Sequence, residues 1–409
     1  MSVRAAFGLN DQLSYVRQID NATIPFVISD IIGISVTPAE QANLEHREIV
    51  GAVIPQIDSA EKHSASYAGA WIDQAAGGVV HIAFTTLPSP LAVTTLQNMF
   101  PSNSIVQIDA ASVPLTRLLS LENSLAASTA VLRKHGVLVE STALDELANT
   151  VDVDVSSPLS QAYAVLNSQF GSSGLTVRET TPSLSVQEGV AQPQAAGNRD
   201  IRTGPLYGGE YIDNGFAACT AGYANSQGNV VKSNLFMITA GHCAPPVNWR
   251  QGLNFDQGVD IGRGGDNGFY SGNSTTNCDC QTIGVLPSGK PTTSVLVNNN
   301  APYRFTQLPV AYYSGEPTCI SGASEYTNTG SIMCGTIMIL EASAFVDPPG
   351  ITVEQLIETT VTATGFGDSG APWGNGGQLL GIHFGKLDGY SSFSRSTNIS
   401  AATNTTPTF

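Results

Sequence analysis

The first 180 residues mix helical and strand periods. From Leu115 the apolar positions Leu115, Leu118, Leu119, Leu125, Val131 and Leu132 fall mostly on one helical face. The run ends at Lys134-His135-Gly136, two basic residues and a glycine that suit a helix C-terminus. Upstream, SYAGAWIDQAAGGVVHIAFTT (66–86) places two apolar segments either side of Ala75-Ala76-Gly77-Gly78, which predicts a hairpin. A second such unit is expected from VLVE at 137–140, a short helix over 143–149 and VDVDV at 151–155. This half reads as α+β.

The pattern then changes. TPSLSVQEGVAQPQAAGNRDIRTGPL (181–206) is polar and rich in Pro, Gly, Ala and Gln, the composition of an exposed linker. Beyond it NLFMITAG, TTSVLVNN, SIMCGTIMIL and QLLGIHFG are separated by Gly, Asn, Ser and Asp turns with little helical signal. Short strands so spaced predict an all-β barrel or sandwich. The Ser/Thr/Asn-rich stretch after Arg395 is expected to be loosely held.

Length and composition narrow the classes. A chain of 409 residues implies two or three compact units, and 42% hydrophobic with 12% charged residues describes a globular protein. A net charge of −16 without any Lys/Arg cluster argues against nucleic-acid binding. No apolar run approaches the roughly 20 residues of a membrane-spanning helix. The start, MSVRAAFGLNDQL, shows no apolar signal-peptide core. All six cysteines nevertheless lie between 219 and 334, an even set confined to one half, as in disulfide-bonded exported domains.

Three local sequences in that half would form one chemical unit if they converge: FMITAGHC (236–243), NCDCQTIGV (277–285) and TATGFGDSGAP (362–372). Acyl transfer by serine needs a neighbouring imidazole, because the free hydroxyl is a weak nucleophile. It needs a carboxylate on the far imidazole nitrogen. It also needs backbone N–H groups at the developing oxyanion, which Gly367 and Ser369 would supply on a turn that glycine permits. A histidine after a strand is by itself more often structural, and GDSG alone reads as a plain turn just as well. The order His, Asp, Ser is what joins them.

TAGHC (239–243) and GDSGAP (367–372) resemble the two signatures of chymotrypsin-like serine proteases over roughly residues 207–409. The resemblance is closest to the secreted microbial streptogrisin and α-lytic branch. It implies an all-β double β-barrel preceded by an α+β pro-region, and hence an endopeptidase made as a zymogen. TCISGASEYTNTGSIMCGTI (318–337) is similar to that branch's disulfide-closed hairpin, implying a Cys319–Cys334 bridge. Cys219 and Cys243 match the bridge that staples the histidine loop. GAWID (69–73) and VVHIAFT (79–85) resemble the hairpin of the branch's pro-regions, which assist folding and inhibit the enzyme until cut. The implied organisation is a pro-region at 1–180, processing within the 181–206 linker, and a protease domain at 207–409.

On this resemblance His242 is general base and acid, Asp279 its orienter and Ser369 the nucleophile. Asp256, Asp260 and Asp266 also lie between His242 and Ser369, but among glycines, whereas Asp279 heads an apolar run as the pattern requires. No cofactor or metal is implied. The partners implied are polypeptide substrates and the chain's own pro-region, with no nucleic acid or membrane, in an extracellular setting. Ala371 replaces the commoner second glycine after the serine. Cys278 and Cys280 flank Asp279 without a family counterpart. Alternation along a strand would turn both sulfurs away from the Asp279 side chain, and a bond between them meets a restrictive geometry. Zinc is poorly supported with so few ligands.

Trypsin-like members carry an aspartate six positions before the nucleophile; here Ala363 stands there, so cleavage after Lys or Arg is not expected. GIHFG (381–385) is similar to the GIHWG of staphylococcal-type glutamyl endopeptidases, and Thr364 matches a pocket threonine of that group. Thr364 and His383 would then accept Glu or Gln. A packed core histidine is the other reading of His383. Two further functions stay open: an inactive pseudoprotease or binding protein with the same fold, and an intracellular processing protease.

Overall fold

The computed structural model describes residues 3–180, 199–227, 235–253, 255–285, 291–297, 301–324, 332–347 and 349–409. Residues 181–198 of the expected linker lie outside these. The chain divides into two compact units. The first comprises Met1–Pro182 with Val310–Pro317 and Gly335–Ser343; the second comprises Ser183–Pro309, Thr318–Cys334 and Ala344–Phe409.

In the first unit, Tyr67–Asp73 pairs antiparallel with Val79–Phe84, which Val106–Ala110 joins in parallel. A second sheet is built from Val139–Asp145, Thr150–Val155 and Leu175–Glu179, and the strand Met333–Val346 lies along its Val139–Asp145 edge. The helix Leu115–Lys134 buries Leu118, Leu121, Leu125 and Leu132 completely in the core that the sheets share. Each such leucine contributes roughly 1.5–3 kcal/mol by leaving water. Val310–Pro317 runs beside the first sheet: the Ile72 N–H donates to the Ser314 carbonyl at 3.1 Å, and Gln74 Nε2 donates to that of Gly315 at 3.0 Å.

The helix expected over 143–149 is absent. Ala143 and Leu144 continue a strand opposite Asp152 and Val151, and the chain reverses at Asn149 with φ of 58°. Pairing with a strand of alternating apolar residues outweighs a weak local helical preference.

In the second unit, eight strands form one sheet in the order Ala218–Thr220, Tyr211–Asp213, Asn248–Gln251, Asp260–Asn267, Gln281–Val285, Leu235–Thr239, Ala224–Ser226, Thr406–Pro407. Another runs Thr275–Thr276, Ile351–Thr359, Tyr390–Arg395, Gln378–Leu387, Pro372–Asn375, Pro317–Ile320. The tail after Arg395 is not loose. It forms the helix Ser396–Thr403, which buries Ile399, and then the strand Thr406–Pro407 beside Ala224–Ser226. Asn225 Nδ2 donates to Thr405 Oγ1 at 2.6 Å. A few buried side chains anchor a stretch whose composition alone reads as coil. The described part of the linker is likewise fixed at two points, with Arg199 and Leu206 buried.

Candidate active site

Strand register makes the site. Leu235–Thr239 and Gln281–Val285 pair antiparallel, and their last matched residues are Thr239 and Gln281. Continuing past Thr239 on one strand and back from Gln281 on the other brings His242 and Asp279 together. The His242 N–H donates to Asp279 Oδ1 at 2.8 Å, and His242 Nδ1 lies 2.6 Å from Asp279 Oδ2. The far ring nitrogen, Nε2, lies 2.9 Å from Ser369 Oγ. The His242 and Asp279 side chains are 1% and 0% exposed. Phe269 and Phe384 meet the imidazole edge-on, with centroids 6.1 and 6.3 Å away. Burial of both side chains strengthens the electrostatic contact between them.

Residues with no sequence signal hold this pair. Ser394 Oγ accepts the Asp279 N–H at 3.0 Å. Asn267 Nδ2 donates to the carbonyls of Gly241 at 2.9 Å and Ala244 at 3.2 Å, and Gln281 Nε2 to those of Ala240 and Ala244 at 3.1 and 3.2 Å. Two disulfides flank the site: Cys219–Cys243 beside the histidine, and Cys278–Cys280 across Asp279. In the second, the Cα atoms of Cys278 and Cys280 are 5.4 Å apart and both cysteines are buried. Cys319 is bonded to Cys334. All the cysteines are thus engaged in disulfides. Asp256, Asp260 and Asp266 lie outside the buried site, and Asp260 pairs with Arg250 at 3.0 Å.

The serine sits on a turn with φ of 96° at Gly367 and 87° at Gly370. A Cβ on Gly370 would stand 2.2 Å from Thr239 Oγ1, so the close approach to the histidine strand needs glycine. Asp368, fully buried, accepts from the Ser324 N–H at 2.9 Å, the Ser324 hydroxyl at 2.6 Å and the Gly365 N–H at 2.9 Å. The Ser369 carbonyl accepts from the Thr220 N–H at 2.8 Å. Among the described residues the N–H groups of Gly367 and Ser369 donate to no protein acceptor.

Thr364 and His383 do not bond to each other. Thr364 Oγ1 lies 2.8 Å from Ser391 Oγ, while the His383 ring bonds the Ser392 backbone, the next residue on the same strand. Burial, then the neighbouring His242 and Lys386, push the His383 imidazole down to about 3, so the ring is neutral. Its Nδ1 has no protein partner among the described residues, and the Trp373 ring centroid lies 6.2 Å away. Ala363 is half-buried.

No protein-family model matches the chain, and no curated protein does. Among the solved structures that match, several are bacterial proteases, each aligned with about half of the chain. Thermobifida fusca protease A is 22% identical, covering 49% of this chain and 97% of its own, with a TM-score of 0.37. A glutamic acid specific serine protease, described as using a novel histidine triad in substrate binding, is 22% identical over 50% and 100%, with a TM-score of 0.41. An alpha-lytic protease homolog, N4, is 17% identical over 50% and 100%, also at 0.41.

Proposed function

We propose that the chain is a serine endopeptidase made as a zymogen, with Ser369, His242 and Asp279 as its triad. The observation that carries this reading is the imidazole of His242 spanning from Asp279 at 2.6 Å to Ser369 at 2.9 Å in a buried site. Ser369 Oγ attacks the scissile carbonyl while His242 Nε2 takes its proton. Asp279 holds the Nδ1 proton in place and stabilises the imidazolium. The N–H groups of Gly367 and Ser369 receive the oxyanion, a contribution worth about 3–4 kcal/mol per donor in related chemistry. His242 then protonates the leaving amine, and water repeats the sequence on the acyl-enzyme.

Residues 1–180 act in this reading as the pro-region, cut off within 181–206. Val310–Pro317 and Gly335–Ser343 belong to the same compact unit as Met1–Pro182. Cleavage after Glu or Gln fits a neutral His383 whose Nδ1 has no protein partner among the described residues. A fluorophosphonate reporter tests the proposal: covalent labelling of the processed chain, abolished by Ser369→Ala, is expected. An unlabelled processed chain would leave the fold as a binding protein.

A further inference from the structure

The matched pairing of the two site strands stops at Gln281, two positions after Asp279. A small covalent ring covers the remaining distance. Cys278 and Cys280 are bonded to each other, and Asp279 is the one residue between them. Both cysteines are fully buried in an apolar cluster with Ile238, Val295, Leu379 and Ile382. The Asp279 carboxylate leaves the ring towards His242, where its two oxygens meet the His242 N–H at 2.8 Å and Nδ1 at 2.6 Å.

Each residue of the ring is also held through its backbone. Thr276 Oγ1 accepts the Cys278 N–H and donates to the Cys278 carbonyl, both at 3.2 Å. Ser394 Oγ accepts the Asp279 N–H at 3.0 Å, and the Cys280 carbonyl accepts the Gly268 N–H at 2.8 Å. The surroundings are close. A Cβ on Gly268 would stand 2.8 Å from the Cys278 carbonyl oxygen, and one on Gly241, the residue before His242, 3.0 Å from the Cys280 nitrogen. A shift of the ring is therefore passed to both members of the His242–Asp279 pair. By loop closure a bond across so few residues stabilises the fold little, because the entropy it removes from the unfolded chain grows with loop length. Its constraint falls instead on the backbone of Asp279, where a displacement of about 1 Å can cost roughly 100-fold in rate.

We propose that Cys278 and Cys280 are positioning residues for the triad: their bond sets the backbone of Asp279 so that its carboxylate is held on His242, and it acts on turnover more than on stability. The proposal rests on the protease reading. Alkylation of the denatured, unreduced wild-type chain should leave both cysteines unmodified, and a free thiol at either would overturn it.

A double-mutant cycle on the full chain, cut within 181–206, reads the positioning. Cys278→Ala/Cys280→Ala is expected to lower kcat by about 100-fold while KM changes by less than about threefold. Placed in Asp279→Asn, where the carboxylate no longer orients the imidazole, the same pair should lower kcat by less than about threefold further. A loss of the same factor in both backgrounds, or wild-type kcat in the paired alanines, would overturn the positioning role. Where the alanine pair does not fold, Cys278→Val/Cys280→Ala, which refills the apolar cluster, carries the cycle with the same expectations. Fluorophosphonate labelling of the wild-type sample separates the two readings. A labelled Ser369 with equal losses in both backgrounds removes only this proposal, whereas an unlabelled Ser369 removes the protease reading with it.

Discussion

Thr239 and Gln281 face each other as the last matched pair of two antiparallel strands, and this register sets His242 against Asp279. The carboxylate is therefore fixed by the sheet and not by a mobile loop. Asp279→Asn should keep the fold and lower kcat by about 10⁴, the loss expected when the imidazole is left in the wrong tautomer. Asp260→Asn, at an exposed pair with Arg250, should leave kcat within a factor of two. Steady-state kinetics on the two variants checks both.

Much of this site is legible in the sequence. TAGHC and GDSG carry chemistry in consecutive residues, so His242 and Ser369 stand out. Asp279 separates from Asp256, Asp260 and Asp266 because it heads an apolar strand. Ser394, Asn267 and Ser324 are not legible, because each acts across a long sequence separation on a backbone group or a distant carboxylate and leaves no local pattern. The 139–145 strand and the C-terminal helix depart from their local patterns for a related reason: tertiary partners decide them. Arg199 carries the composition of a linker, and composition says nothing about where a guanidinium ends up.

The two disulfides beside the site should differ in what they contribute. Cys219–Cys243 spans 24 residues, and loop-closure entropy predicts about 3–4 kcal/mol of stability. Cys278–Cys280 spans two, for which the same relation gives about 1–2 kcal/mol. Denaturant unfolding of the paired Cys→Ala variants should show the first losing clearly more than the second.

The first unit should weaken as pH rises. Burial, assisted by Glu48, raises Glu316 to about 8, and burial raises Asp58 to about 6. The folded unit thus holds protons that the unfolded chain releases above about 4.5, so this stabilisation is complete in acid and lost as pH climbs through 8. Hydrogen exchange of the 310–317 amides should accelerate between pH 5 and pH 8 after correction for intrinsic rates. Glu316→Gln should flatten that dependence, and an unchanged slope would contradict it.

His383 is expected to set selectivity and not reactivity. His383→Leu should lower kcat/KM for peptides with Glu or Gln before the scissile bond at least 50-fold. Ser369 should still react with a small fluorophosphonate at close to the wild-type rate. Equal losses on every peptide would make His383 a packing residue.

The central claim is that His242 and Asp279 make Ser369 a nucleophile. Rapid mixing of the chain, cut within 181–206, with an activated ester should release one equivalent of leaving group per chain in a burst, with the acyl group recovered on Ser369. The same experiment on Ser369→Ala should show no burst. A processed wild-type chain with neither burst nor acyl-Ser369 would contradict the account.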